Sequence, residues 1–153
     1  AALLSAFAPG PGPVFEVRSR HAGYRRAFQA PGRGRFAGLK AAVLVDSRTA
    51  MAAEVFAASL KELAGAVIVG ETTMGDVSLT RIFRAGRGAG LQLTVARLFP
   101  PSGTELEGNG LEPDLRPAAG PQEAEAARAD WSASGETALM RDPGWRKALG
   151  TGE

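Results

Sequence analysis

The first part of the chain alternates short apolar runs with breaks rich in glycine and proline. Residues 13–19 alternate polar and apolar positions with the period of two that is typical of a strand, and residues 24–30 have the pattern of its hairpin partner. The connection between them, residues 20–23, is short and polar. The apolar residues 1–8 are predicted to form a helix that ends at Pro9.

The middle of the chain predicts a strand–helix–strand unit. Residues 41–46 and 66–69 are continuous apolar runs, the pattern of parallel strands buried on both faces. Between them, residues 49–63 carry apolar side chains at helical spacing, with Glu54, Lys61 and Glu62 on the solvent side and Gly65 as the stop. The crossover is expected to be right-handed. The fold class is therefore α/β.

The remaining segments predict a second hairpin and a tail. Residues 78–84 and 91–99 have strand patterns, are joined by the glycine-rich turn 85–90, and end at Pro100 and Pro101. Residues 122–131 and 135–149 are weakly helical in pattern. We expect one domain over residues 1–117 and a helical extension over residues 118–153.

Composition narrows the class of protein without identifying it. The 153 residues are 44% apolar and 22% charged, which is typical of a folded domain, and the absence of cysteine excludes disulfides and thiolate metal sites. No apolar run is long enough to span a membrane. The net charge is only +2, but the stretch from Arg18 to Arg35 holds six arginines. These arginines could bind an anion or form a solvated hairpin face, and nucleic acid is not expected to be the partner.

Two loops are the candidate sites for chemistry. Residues 46–49 and 70–76 each follow a buried strand, where open α/β folds place functional groups. A serine hydrolase would need a hydroxyl there, with a base within hydrogen-bond reach. The hydroxyls available in the two loops and just beyond them are those of Ser47, Thr49, Thr72, Thr73 and Ser78.

The same region resembles the carboxy-terminal processing (tail-specific) proteases. The chain contains TAMAAE after its first buried strand, AVIVGETTMGD around its second, and then LQLTVARLFPPSGTELEGNGLEPD. Family members have a T-A-S-A-S-E turn, an A-V-I-V-G-E-x-T-x-G-K-G segment, and L-x-L-T-x-A followed by G-I-x-P-D at similar spacing. The resemblance covers residues 1–114 and is dense from Val43 onward.

The resemblance implies that the catalytic groups are missing. In the family the first serine of S-A-S-E is the nucleophile, a lysine is the general base, and a glutamine four residues later orients the lysine. Those positions correspond to Met51, Asp76 and Thr80, and Asp76 follows Met51 by 25 positions, as the lysine follows the serine. A thioether has no proton to lose and cannot form an acyl-enzyme. No catalytic residue, cofactor or metal is therefore expected.

Other interpretations of these residues remain open at this point. A loop hydroxyl paired with Asp76 would make a weak catalytic pair and an active, non-standard endopeptidase. Alternatively, Ser47 and Thr49 cap the helix that begins near Ala50, and Met51 fills the core or the loop. The single histidine, His21, is expected on a surface loop.

The resemblance also implies a larger architecture. The family has a crotonase-like core whose upstream part supplies an Asn-Pro-Gly-Gly-like turn and usually a PDZ module, so this core is expected to be incomplete on its N-terminal side. The expected partner is a protein or peptide, with the missing N-terminal half and a second copy of the chain as candidates. By resemblance alone, the location would be the bacterial periplasm or the exterior. The function expected is binding or assembly by a pseudoenzyme.

Overall fold

The structure is a computed structural model that describes residues 1–86 and 88–116. The helical stretches expected over residues 122–131 and 135–149, and the extension over residues 118–153, lie outside the described residues. Within the described ranges the helices are α1 (Ala2–Phe7) and α2 (Ala52–Ala64). The strands are β1 (Gly12–Arg18), β2 (Arg26–Ala30), β3 (Ala42–Val45), β4 (Val67–Gly70), β5 (Ser78–Arg84) and β6 (Gly90–Phe99).

The strand–helix–strand prediction is confirmed. β3 and β4 pair in parallel, from Ala42 opposite Val67 to Val45 opposite Gly70, and α2 connects them. α2 ends where expected, at Gly65, whose φ of 64° is the left-handed conformation common at helix ends. Beyond β4, Leu115 continues the sheet through one parallel bridge to Val69.

The prediction that both parallel strands are buried on both faces is wrong for β3. In β4, Ile68 and Val69 are fully buried, whereas in β3 only Val45 is buried and Leu44 is 39% exposed. The reason is the position of β3 in the sheet. β4 lies between β3 and Leu115, while no described strand pairs with the other edge of β3.

The remaining strands form an antiparallel sheet in the order β2-β1-β6-β5. Both predicted hairpins are confirmed, with one correction: Tyr24 belongs to a 3₁₀ turn, Ala22–Tyr24, in the connection between β1 and β2 and not to a strand. α2 packs between this sheet and the parallel pair. On one side Val55 and Ala58 contact Val77, and on the other Ala57 contacts Val45 and Ile68.

The helix itself departs from prediction at one position. Glu54 was expected on the solvent side of α2 but is completely buried. Burying a carboxylate is costly unless hydrogen bonds satisfy it. The partners that satisfy Glu54 come from the loop after β4, and they define the candidate site.

Candidate functional site

The loops that follow β3 and β4 meet at the N-terminus of α2. The Met51 N–H donates to the Asp76 carbonyl oxygen at 2.6 Å, and the Met74 N–H donates to the Thr49 carbonyl oxygen at 2.9 Å. These two main-chain bonds, here called the loop clasp, join residues 49–51 to residues 74–76. Sequence analysis singled out Met51 and Asp76 as one pair, and the structure brings their backbones together.

Met51 has an unusual backbone conformation. It is the residue that precedes α2, with φ 54° and ψ −123°, and it is the one non-glycine residue with positive φ within residues 1–86 and 88–116. Such a conformation is strained for a residue with a side chain and persists only where the surroundings impose it. The Met51 side chain is 45% exposed, so the expectation that it fills the core is wrong.

The expectation that Ser47 and Thr49 cap α2 is also wrong. Met51 occupies the cap position, and no side chain hydrogen-bonds the helix end there. The Thr49 hydroxyl instead donates to Asp46 Oδ1 and accepts from the Asp46 N–H, both at 3.0 Å. Thr49 therefore stabilises the turn that leaves β3, three positions before the first helical residue, Ala52.

Glu54 holds the second loop in place from inside the protein. Its Oε1 accepts hydrogen bonds from the Thr73 hydroxyl and from the Gly75 N–H at 2.7 Å, and its Oε2 accepts from the Asp76 N–H at 3.0 Å. The Thr73 Oγ1 in turn accepts from the Leu111 N–H at 2.7 Å. One buried carboxylate thus fixes the main chain on both sides of Gly75, immediately beside the clasp.

Sequence reasoning missed Glu54, although a signal was present. It lies in the first turn of α2, where a carboxylate is favourable to the helix. It is also the last residue of TAMAAE, at the position where the resemblance places a glutamate. Helical periodicity predicted that Glu54 is exposed, because the spacing of apolar residues does not show which loop covers the end of a helix.

A second carboxylate supports the start of β5. Glu107 Oε2 accepts from the Val77 N–H at 3.1 Å, and Oε1 accepts from the Ser78 hydroxyl at 2.7 Å. The hydrogen bond from Ser78 is the main reason that the pKa of the Glu107 carboxyl is lowered, with the Val77 N–H and the Arg97 charge adding to it against the opposing effect of partial burial. Glu107 is thus an ionised anchor at neutral pH.

A third carboxylate attaches the segment after β6 to the parallel sheet. Asp114 accepts from Lys61 Nζ at 2.5 Å and from the Ile68 N–H at 2.9 Å. Burial raises the pKa of Asp114, but the hydrogen bonds from Lys61 and Ile68 outweigh it, so the pKa is lowered overall. This attachment brings residues 109–111 against the loop that Glu54 holds.

The other predicted residues lie apart from the clasp or are already bonded. Thr80 is an exposed residue of β5 whose hydroxyl accepts from Gln92 Nε2 at 3.1 Å. His21 is an exposed loop residue, as predicted, and accepts from the Gly23 N–H. The Thr72 hydroxyl accepts from Arg116 Nη2 at 2.8 Å. The six arginines between residues 18 and 35 are all exposed.

The described part of the chain has neither a metal-binding cluster nor a membrane-spanning helix. Residues 1–86 and 88–116 contain no group of three or more histidine, cysteine, aspartate or glutamate side chains that could hold a metal ion. Over the same residues, no helix has the length and apolar character needed to cross a membrane.

An α/β fold in which two loops meet after parallel strands is found in many hydrolases. Sequence comparison identifies the family within that class. Residues 1–116 match the family model described as peptidase family S41. Because the match covers well over half of the chain, the protein belongs to peptidase family S41.

Relatives in that family are C-terminal processing peptidases. The chain is 35% identical over 74 residues to the chloroplastic carboxyl-terminal-processing peptidase 1 of Arabidopsis thaliana, a match that covers 48% of this chain and 15% of the relative. It is 33% identical over 94 residues to the chloroplastic C-terminal processing peptidase of Tetradesmus obliquus, a match that covers 61% of this chain and 20% of the relative. The chain therefore spans only a small part of the length of these relatives.

Solved structures agree with the fold. The photosystem II D1 C-terminal processing protease superposes with a TM-score of 0.61 and 27% identity, over 74% of this chain and 29% of that one. Mature CPAF complexed with lactacystin superposes with a TM-score of 0.58, over 75% of this chain and 35% of the CPAF chain. At 15% identity, the second match supports the fold alone.

Proposed function

We propose that this chain is a catalytically silent part of a tail-specific protease domain and that it acts by binding a peptide or protein. In this proposal Met51, Asp76 and Thr80 occupy the positions of the family's serine, lysine and glutamine. The observation that carries it is the loop clasp, because the Met51 N–H bonds the Asp76 carbonyl at the N-terminus of α2. The two residues that replace the catalytic pair are thus neighbours in space as well as matched in sequence spacing.

The chemistry of the Met51 and Asp76 side chains supports the absence of catalytic activity. Acyl transfer by a serine–lysine pair needs an alcohol that loses a proton and an amine that receives it. The thioether of Met51 has no proton to lose, and the strained conformation of Met51 presents that thioether to solvent. Removing one member of such a pair removes most of the rate, since the members act as a unit.

The alternative of an active, non-standard endopeptidase would need another hydroxyl and base. The Thr73 hydroxyl donates to the buried Glu54, but it also accepts from the Leu111 N–H and is only 6% exposed, so a substrate carbonyl has no approach to it. The Ser78 hydroxyl donates to Glu107, whose lowered pKa makes it a weaker base. Neither pair supports catalysis.

Apart from any bound peptide, the open side of the parallel sheet indicates a further protein partner. A two-stranded parallel sheet exposing Leu44 is incomplete by the usual standard of such sheets, which are covered on both faces. We infer that a further part of a crotonase-like core, from the same polypeptide or from a second copy, pairs with the free edge of β3. Anion binding by the arginines from Arg18 to Arg35 stays a prediction, to be tested by the salt dependence of binding.

The experiment treats the full chain with a fluorophosphonate probe and, separately, with unfolded casein as a peptidase substrate. We expect no labelling and no cleavage across the pH range in which the protein stays folded, with an active carboxyl-terminal-processing peptidase as the positive control. Labelling of a serine or threonine in residues 46–49 or 70–78, located by mass spectrometry, would show that the chain is an active hydrolase.

A further inference from the structure

The outer half of the hairpin formed by β5 and β6 projects from the protein. Every described residue from Thr80 to Thr94 is exposed, whereas Ala96 and Leu98, nearer the base of the hairpin, are buried. A two-stranded ribbon without a covered face is only marginally stable in water. The outer half is therefore the part of the described structure with most to gain from a partner.

The projecting ribbon carries large apolar side chains on both faces. Phe83 is paired with Leu91, and Arg81 with Leu93, so these four side chains share one face. Ile82 lies on the opposite face and is 69% exposed. Scattered exposed apolar residues are ordinary, but a contiguous set on one projecting element marks an interaction surface.

The free edge of β5 offers unpaired main-chain groups. β5 is the last strand of the antiparallel sheet, and within the described residues no strand pairs with its outer edge. It is seven residues long, contains no proline, and has one irregularity in its pairing with β6, between Leu79 and Thr80, near its first residues. Such an edge is a template to which another extended chain can add.

The charged side chains of the ribbon itself have one sign. Residues 77–99 contain no aspartate or glutamate, and neither Arg81 nor Arg84 forms an ion pair with a described carboxylate. Arg81 is held by aromatic groups instead. Its Nη1 donates to the Tyr24 hydroxyl at 3.0 Å, and its guanidinium carbon lies 5.9 Å from the Tyr24 ring centroid and 6.0 Å from that of Phe83. The guanidinium is thus positioned but not neutralised.

We infer that the outer edge of β5 binds an extended, acidic segment of another protein, which joins the sheet as an added strand. The inference rests on the proposed function of peptide binding and specifies where the peptide lies and what its chemistry is. Main-chain hydrogen bonds to β5 supply affinity. Arg81 and Arg84 lie on opposite faces of the ribbon, so ligand carboxylates that face Arg81 leave the apolar residues of the ligand over Ile82, and carboxylates that face Arg84 leave them over Phe83.

Two other occupants fit the surface less well. A second copy added edge to edge would bring Arg81 and Arg84 of two chains together without an acidic residue to balance them. A membrane surface would require a large apolar side chain at the end of the ribbon, whereas the described residues there, 85–86 and 88–89, are alanine and glycine. The charge pattern favours an acidic polypeptide.

The binding experiment measures fluorescence anisotropy of labelled peptides of about ten residues that alternate valine with glutamate or with lysine, added to the full chain. We expect the glutamate peptide to bind and the lysine peptide not to bind. Replacing both arginines, Arg81→Gln with Arg84→Gln, should weaken binding by about tenfold, and Arg26→Gln on the opposite edge strand β2 is the matched control, with little effect expected. Circular dichroism checks that each variant is folded.

The added-strand geometry has its own test. Two versions of the glutamate peptide are methylated on the backbone nitrogens of alternate residues, one on the odd positions and one on the even positions. A strand added to an edge directs alternate N–H groups toward the sheet, so one version should lose binding and the other should keep it. Equal binding of both versions would overturn the inference.

The outcomes separate this inference from the proposed function. If the chain binds glutamate and lysine peptides equally and the arginine variants do not change the affinity, the binding site is not at β5. The proposed function of peptide binding would still hold. If no extended peptide binds, both the inference and the binding half of the proposed function fail. Binding only to vesicles containing anionic lipid, or dimer formation that Ile82→Asp abolishes, would each replace the acidic peptide as the occupant.

Discussion

The loop clasp and the outer half of the β5–β6 hairpin are neighbours in the chain but differ in how they are held. In the clasp, two main-chain bonds and the buried Glu54 fix the loops around Met51 and Asp76. In the hairpin, one strand pairing holds two exposed strands, and their apolar side chains are uncovered. The clasp is held by bonds within the chain, whereas the outer half of the hairpin leaves an unpaired edge and exposed apolar side chains. Four substitutions in and around the clasp test how strongly its contacts stabilise the folded protein.

The largest effect should come from removing the carboxylate that organises the clasp. Glu54→Leu leaves the Thr73 hydroxyl and the N–H groups of Gly75 and Asp76 buried without an acceptor, so the free energy of unfolding should fall by about 3 kcal/mol or more, measured by urea denaturation. Glu62→Leu on the exposed side of α2 is the control, with a loss below about 1 kcal/mol expected. Equal losses would mean that Glu54 does not hold the loop.

The next largest effect concerns the start of the loop after β4. Gly70 has a φ of 133°, and a Cβ added there would lie 1.9 Å from the Val45 carbonyl oxygen. Gly70→Ala should therefore push β3 and β4 apart and lower the free energy of unfolding by roughly 2–3 kcal/mol. Gly32→Ala, at a glycine with open space around it, should change stability by less than about 1 kcal/mol.

A smaller and pH-dependent effect is expected at Glu107. Its folded-state pKa is lowered, so its stabilisation is complete above the unfolded pKa of about 4.3 and is lost as pH falls through the lower folded-state pKa. Glu107→Gln should lower the free energy of unfolding by about 1–2 kcal/mol at neutral pH and by less in acid. Glu112→Gln, an exposed carboxylate, should show no such pH-dependent difference.

The smallest effect should have the opposite sign. Glycine adopts the φ of 54° and ψ of −123° found at Met51 without strain, so Met51→Gly should raise the free energy of unfolding by roughly 1 kcal/mol. Met74→Gly removes an equally exposed methionine from the second loop, where φ is not positive, and should lower stability instead. A loss of stability in Met51→Gly would show that the thioether contributes packing that outweighs the strain.

The sequence predicted the elements well because their patterns are local. The spacing of apolar residues was sufficient for β3, α2 and β4 and for the two hairpins, and motif spacing was sufficient to pair Met51 with Asp76. Two features depended on distant parts of the chain and were missed. Glu54 is buried because a loop some twenty positions later covers it, and β3 is exposed because no described strand follows it in the sheet.

Both bonds of the loop clasp join main chain to main chain, and Gly75 and Asp76 donate to the Glu54 carboxylate through their main-chain N–H groups. Hydrogen bonds of this kind do not depend on which side chain is attached to the donor or the acceptor. Residues 51 and 76 can therefore be exchanged for chemically unrelated ones while the backbone scaffold persists. The backbone conformation of the loop clasp is therefore independent of the chemistry of the side chains at positions 51 and 76.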